Sequence, residues 1–555
     1  MFANFRPIPP PTDLLRSLIA GFSRKYVRKP DWQPRVTSIW ADQCLKSLNA
    51  AVRITIDRKP VSAPSNLSKT QRDSIRSLKL KRHLLWGRAA DKGLGFTLSD
   101  RAWVHSAIML HLNDALTYTP LPGSTPADII SLIRQRLAGL SWDSCRAVIP
   151  DAVRDWILLP QDREDRIAKF YILAKLSKLN ADNPFAARPI SANFASPTRA
   201  AGLFIAMIME PIIRTNGFTL LDTRSAVNLF ATSPAWTGIG TDDYIVSFDA
   251  ISLYTTLPLD GTREAAVELL MEHLPVSSFK LPFIHLFNCL LKVVLEHAYV
   301  QHDGLVYKQH FGLGMGLSCA CQLANQFIFH LTRDLFRKWT RPEPPCLLSS
   351  LCYIDDGLGI WRGSEPEWRQ FMVELNSLSD SVKFTTVFSK ESVTFLDLQL
   401  FKHPDSDRLV HRAFSKPLSL HQFIPALSAH NPQCLRSFVF GESLRLARNC
   451  SFEADFISAV SHLKGYLLQR GYALFTVLEM TTKVSHSDRT RLLLTQPRPS
   501  KPVTPVLLVY HAQFHQLGIP RLVHQHLADI RRAIAQLVIA WKNPRNLQAV
   551  LGIHN

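Results

Sequence analysis

Residues 347–363 read "LLSSLCYIDDGLGIWRG". Two adjacent carboxylates, Asp355 and Asp356, stand between apolar runs. Like charges in such surroundings raise the free energy unless something positive answers them. The flanking runs have strand character and Asp356-Gly357 is a turn signal, so the stretch predicts strand, tight turn, strand, with Asp355 just before the turn. Upstream, "DDYIVSFDAISLYTTL" at 242–257 is rich in β-branched and aromatic residues and predicts a second strand with Asp249 near its end. If these strands are neighbours, Asp249 and Asp355 converge. Oxygen donors of this kind suit Mg²⁺, a hard cation that takes one or two carboxylates together with substrate phosphates. Two such ions about 4 Å apart activate an attacking hydroxyl and stabilise a leaving pyrophosphate, which is the chemistry of nucleotidyl transfer.

The rest of the chain sets bounds on that reading. Its 555 residues exceed one small core and imply several packed subdomains. Hydrophobic content of 46% and charged content of 20% exclude a disordered chain. A net charge of +19 implies a polyanionic partner, nucleic acid first and an acidic membrane surface second. Nine cysteines with no C-x-x-C pair argue against a disulfide framework or a zinc module and for a reducing compartment. No apolar run reaches spanning length; "GLFIAMIMEPII" at 202–213 is too short. The first 60 residues are basic and Pro-punctuated, which leaves an organelle address open.

Along the chain, residues 66–120 read as helices around the turn "ADKGLG". "SPTRAAGLFIAMIMEPIIR" at 196–214 predicts a buried helix. "PLDGTREAAVELLMEHL" at 258–274 predicts another, with Asp260 as cap. "HAYVQHDGLVYKQH" predicts a hairpin turning at Asp303-Gly304. The Gly-rich "FGLGMG" at 311–316 then opens the helix "LSCACQLANQFIFHLTRDLFRKW". "VKFTTVFSKESVTFLDLQLFK" at 382–402 continues the sheet, the chain is mainly helical after about 406, and "TQPRPSKPVTP" is a linker before the last helices. There is no internal repeat.

"FDAISLY" (248–254) and "YIDD" (353–356) resemble the two metal-binding motifs of reverse transcriptases. The finer pattern is similar to Penelope-like retroelement reverse transcriptases, relatives of telomerase. "ADKG" (90–93) resembles that family's N-terminal signature, and "YILAKLSK" (171–178) and "ARPI" (187–190) its finger motifs. "QHFGLGMGLSCACQLAN", "VKFTTVFSKESVTFLDLQL", "FSKPLSLHQFIPALSAHNP", "GESLRLARNCSF…LLQRGY" and "LVYHAQFHQL…WKNPRNLQAVLG" resemble its later blocks, in order, from about residue 60 to the end. Ser318-Cys319 departs from the family's usual Ser-Pro.

The resemblance implies an α+β right-hand polymerase fold: fingers, an antiparallel-sheet palm with flanking helices, and a helical thumb. It implies a basic extension over 1–60, an N-terminal block and fingers over 61–215, a palm over 216–405, a thumb-like region over 406–495 and a C-terminal part over 496–555. Asp249, Asp355 and Asp356, with the Ala250 carbonyl, are the implied ligands of two Mg²⁺ ions, Mn²⁺ being a candidate substitute. Tyr254 is implied as a steric gate against ribose. Lys178, Arg188, Gln309, Gly312, Met315, Gly316 and Lys383 are implied at the incoming nucleotide. Lys92, Lys416, His430, Arg445 and Arg448 are implied on the template and primer. The partners implied are an RNA template, a DNA primer or target and deoxynucleoside triphosphates, with no membrane and no zinc, in an intracellular and most naturally nuclear setting. Neither "GIY" nor "YIG" occurs, so a member lacking the family's GIY-YIG endonuclease is expected, priming from exposed 3′ ends. A telomerase-like terminal DNA synthase and a catalytically silent RNA-binding remnant are the alternatives; the intact Asp249, Asp355, Asp356 and Tyr254 argue against the last.

Overall fold

The computed structural model describes residues 14–27 and 67–494, apart from breaks at 82, 94, 160–163, 342–344, 417–418, 429, 431, together with residue 525, the stretches 504–509 and 537–542, and a few positions between 46 and 54. The chain is α+β. It forms two compact units, Met1–Lys29 with Trp103–Pro417, and Pro30–Ala102 with Leu418–Asn555. Strands are numbered in chain order.

The first unit is built around a four-stranded antiparallel sheet. Its strands are β6 (Tyr244–Ala250), β9 (Leu347–Tyr353), β10 (Asp356–Trp361) and β11 (Phe384–Ser389), ordered β11-β6-β10-β9. Ile245, Val246, Phe248, Leu358 and Ile360 are buried. Helices Arg199–Ile213, Leu259–His273, Lys280–Glu296 and Ala320–Thr340 share one core with the sheet. Phe336 of the last helix meets the Phe248 ring edge-on at 5.7 Å. At the far end of β10, Trp361 is fully buried among Trp339, Trp368 and Phe371, at 5.3, 5.1 and 5.5 Å between rings. Each such aromatic contributes about 1.5–3 kcal/mol by leaving water. The sheet is thus anchored at its Trp361 end, and its Asp356 end is left to polar residues. Helix Leu259–His273 starts one residue after Pro258, so Asp260 lies in its first turn and is not its cap; there its charge still suits the helix dipole.

A five-stranded sheet comprises β3 (Tyr118–Pro120), β4 (Ala168–Ala174), β5 (Ala187–Ala192), β7 (Tyr299–His302) and β8 (Leu305–Gln309), ordered β3-β8-β7-β4-β5. β7 and β8 form the hairpin expected at Asp303-Gly304, both in the left-handed region with φ of 45° and 80°. Three further strands, β12 (Ser392–Phe395), β13 (Leu398–Lys402) and β14 (Leu409–Ala413), form a small antiparallel sheet. From the basic N-terminus, helix Leu14–Phe22 also joins this core: Phe22 is fully buried, edge-on to Phe204 and Trp156.

In the second unit, helix Lys69–Leu80 carries a Ser68/Gln71 capping box. In the chain, helices Lys69–Leu80 and Arg101–Leu112 stand before and after the "ADKGLG" turn as expected, but strands adjoin it directly: β1 (Leu85–Ala89) pairs antiparallel with β2 (Phe96–Asp100). In β2 exposure alternates residue by residue, the period of a half-buried strand, which outweighs helix propensity here. Helices Pro432–Asn449, Glu453–Gln469, Leu474–Thr481 and Arg489–Leu494 follow. Where C-terminal helices are expected, the described residues form a parallel pair, β15 (Thr504–Val509) with β16 (Leu537–Lys542). "VLLV" and "LVIA" are short apolar runs, which fit a strand as well as a buried helix. The remainder of the closing block lies outside the described residues.

Candidate active site

Register builds the site. Asp356 opens β10 directly opposite Asp249 of β6. Opposed residues of an antiparallel pair project to the same face, so the two carboxylates share one. Asp356 also pairs with Tyr353, which leaves Ile354 and Asp355 as the two turn residues. Ile354 takes the left-handed φ of 58°. Its N–H donates to Asn325 Oδ1 at 3.0 Å, and the Asp355 carbonyl accepts the Ala250 N–H at 2.8 Å. The turn therefore lies two residues earlier than Asp-Gly suggests, and Asp355 sits exposed at its tip, not on a strand. Gly357 lies within β10: a Cβ there would come 2.0 Å from the Phe248 ring, so the glycine makes room for an aromatic neighbour.

Asp356 is half-buried. Burial, then the charges of Asp249 and Asp355, push its carboxyl up to about 7, against the pull of the Leu396 N–H, 3.1 Å from Oδ2, and of Lys416. An acid raised in this way binds more protons folded than unfolded between its two pKa values. The stability it supplies is full at low pH and is lost as pH rises towards 7. In cation-free buffer, the melting temperature of Asp356→Asn relative to wild type should therefore climb between pH 5 and pH 8, measured by scanning calorimetry. A constant difference would remove Asp356 as the titrating group.

Tyr254, five residues after Asp249, lies in the short helix Leu253–Thr256. Its hydroxyl is 3.2 Å from Cys321 Sγ. Burial, then Cys321 and the Asp355 charge, push its phenol well up. The Leu313 N–H donates to the Tyr254 carbonyl, tying this helix to the glycine loop. Gln309 is buried, and its side-chain amide donates to the carbonyls of Phe311 and Gly312 at 3.0 and 3.1 Å. It braces the loop from within. Gly312 lies against the Thr255 backbone, and Gly316 against that of Ser191. The Ser191 N–H donates to the Met315 carbonyl at 2.9 Å, and Arg188 Nη1 approaches Met315 Sδ at 3.9 Å.

The remaining expected residues divide. Lys178 is exposed at the end of the turn Leu176–Lys178 after β4, and Arg188 is half-buried on β5. Lys383 Nζ donates to the carbonyls of Asn376 and Ser379, both at 2.7 Å, at the C-terminal end of helix Glu365–Ser377. That is a capping task which needs no substrate. Lys416 belongs to the first unit, within electrostatic reach of Asp356. Lys92, His430, Arg445 and Arg448 belong to the second unit. Lys92 has the left-handed φ of 56°, the His430 ring bonds Ser428 Oγ at 2.8 Å, and Arg445 pairs with Glu442 at 3.0 Å. Sequence reasoning passes over Asn325, which holds the carboxylate turn from helix Ala320–Thr340; the signal was its place in "LAN".

No family model matches the chain, and no curated protein does. Among solved structures, it is similar to the telomerase of Candida albicans in complex with a fragment of telomeric RNA, with a TM-score of 0.45 and 11% identity over 85% of this chain and 75% of that one. It is also similar to the RNA-dependent RNA polymerase of a human picorbirnavirus, with a TM-score of 0.44 and 13% identity over 89% and 97%. The apo telomerase of Candida tropicalis gives 0.40 and 11% over 82% and 75%.

Proposed function

We propose that the chain is a template-directed nucleotidyltransferase, specifically an RNA-directed DNA polymerase of the Penelope-like retroelement kind. One observation carries the reading: Asp249 and Asp356 face each other across antiparallel strands with Asp355 in the adjoining turn. The donors are all oxygen, and burial, then the charges of Asp249 and Asp355, push the Asp356 carboxyl up. Such a cluster is short of positive charge, and a hard divalent cation fits it. Asp249, Asp355 and Asp356, with the Ala250 carbonyl, would hold two Mg²⁺ ions. When bound, these supply acidification of the primer 3′-hydroxyl and neutralisation of the departing pyrophosphate.

The protein's own groups do the rest. Asn325 and the Ala250 N–H fix the turn that presents Asp355. Lys178 and Arg188 supply cationic contacts for a triphosphate, Arg188 from a strand that the glycine loop touches through Met315. Gln309 stiffens that loop against the nascent base pair. Tyr254 closes the space beside the sugar, its hydroxyl held against Cys321 Sγ. Lys92, Lys416, His430, Arg445 and Arg448 are proposed on the template–primer backbone, a salt-sensitive and sequence-independent contact. The retroelement assignment and a nuclear setting rest on the ordered motif set alone.

The test is primer extension by purified protein on an RNA template with a DNA primer, Mg²⁺ and deoxynucleotides. No extension at low salt, with Mn²⁺ also tried, would overturn the polymerase reading. In the same assay Tyr254→Val should lower the preference for deoxynucleotides over ribonucleotides by about tenfold or more in kcat/KM, as loss of a shape filter does. An unchanged ratio would remove Tyr254 as the gate.

A further inference from the structure

Away from the carboxylate site, the hairpin turn between β7 and β8 meets the helix Arg101–Leu112. Three metal-ligating side chains gather there: His105 from the helix, and His302 and Asp303 from the turn. Asp303 Oδ2 lies 3.4 Å from His105 Nδ1 and 3.3 Å from His302 Nε2. Those spacings match the edge of a tetrahedron whose metal–ligand bonds are about 2.0–2.1 Å, which is ~3.3–3.4 Å. His302 supplies an independent observation. Its side chain is only 10% exposed, its Nε2 is buried without a hydrogen bond, and it is aimed at the Asp303 carboxylate. A buried imidazole nitrogen left without a hydrogen bond calls for an explanation, and a bound ion is one.

We propose that His105, His302 and Asp303 form a zinc site that clamps the β7–β8 hairpin to the helix Arg101–Leu112. Two imidazoles, which are borderline donors, with one carboxylate suit Zn²⁺ more than Mg²⁺. His105 and Asp303 are largely exposed, which gives an ion an entry path and leaves a fourth position for water. The absence of C-x-x-C pairs argues against a cysteine-built module, not against a site of this composition. The clamp bears on the strand that leads into Gln309 and the glycine loop, so its effect is on the stiffness of that hairpin and not on the chemistry.

The experiment uses untagged, chelator-treated full-length protein titrated with Co²⁺, whose tetrahedral complexes absorb in the visible and whose octahedral ones barely do. The expected result is one tetrahedral Co²⁺ per chain, displaced by one equivalent of Zn²⁺ and unaffected by Asp249→Asn. His105→Ala removes an exposed side chain from a helix surface, and Asp303→Asn keeps a residue type that accepts a left-handed φ. Each should weaken binding by at least ~10-fold, since even outer partners of metal ligands cost that much. Each metal-free variant should melt as the metal-free wild type does, while only the wild type gains on adding Zn²⁺. Absence of a tetrahedral signal, or one undiminished in both variants, overturns the site.

Discussion

Asp249→Asn and Asp355→Asn should each abolish primer extension while leaving the fold at least as stable as wild type. The two halves of this expectation have different causes. Each substitution removes an anionic oxygen from a cluster that must hold cationic charge against a growing negative charge at the transferred phosphoryl group. Interactions of that kind are worth several kcal/mol, and about 4 kcal/mol corresponds to ~10³ in rate. For stability the sign reverses, because both carboxylates raise the pKa of Asp356. Neutralising either one relieves like-charge repulsion in the cation-free protein. In chelator at pH 8 the variants should melt at or above the wild-type temperature, and Mg²⁺ should then raise the wild type more than either variant. Variants that lose activity and also melt well below wild type would make the carboxylates structural. Variants that keep more than about a tenth of the wild-type rate would remove the nucleotidyl-transfer reading itself.

Much of this site is legible before any coordinates, and the parts that are not share a cause. Asp249 and the 355–356 pair stand out because charge interrupts apolar strand runs, and such interruptions demand a partner. What cannot be read locally is register. Asp-Gly is a turn signal whenever nothing else competes for the glycine, but here the Phe248 ring, from a strand about a hundred residues earlier, occupies the space over Gly357. The turn moves back to Ile354-Asp355, and a left-handed isoleucine is tolerated because Asn325 takes its N–H. The β7–β8 hairpin, by contrast, depends on a single dipeptide and carries over directly, and the α+β class is the one that the motif resemblance implies. The His105–His302–Asp303 group brings together residues about 200 positions apart, which no spacing rule scans.

Gly316→Ala should be the most damaging small substitution in the first unit outside the sheet. Gly316 adopts φ of +133°, a conformation L-residues rarely take, and a Cβ built there would lie 2.0 Å from the Ser191 carbonyl oxygen. That oxygen belongs to β5, which cannot retreat: the Ser191 N–H is already bonded to the Met315 carbonyl, one residue before the glycine. An added methyl must therefore either break this bond or push the loop off the strand that carries Arg188. Backbone strain of about 1–3 kcal/mol, overpacking of about 1–3 and a hydrogen bond worth about 1 put the cost at about 3–7 kcal/mol. Gly123 is the control. It also has a positive φ, +88°, but nothing lies within 4 Å of its would-be Cβ, so Gly123→Ala meets only the left-handed penalty of about 1–2 kcal/mol. Urea unfolding of the two variants separates close approach from backbone conformation, and kcat/KM for nucleotide should fall with Gly316→Ala alone. Equal losses in both would mean that φ, and not the Ser191 carbonyl, makes glycine obligatory at 316.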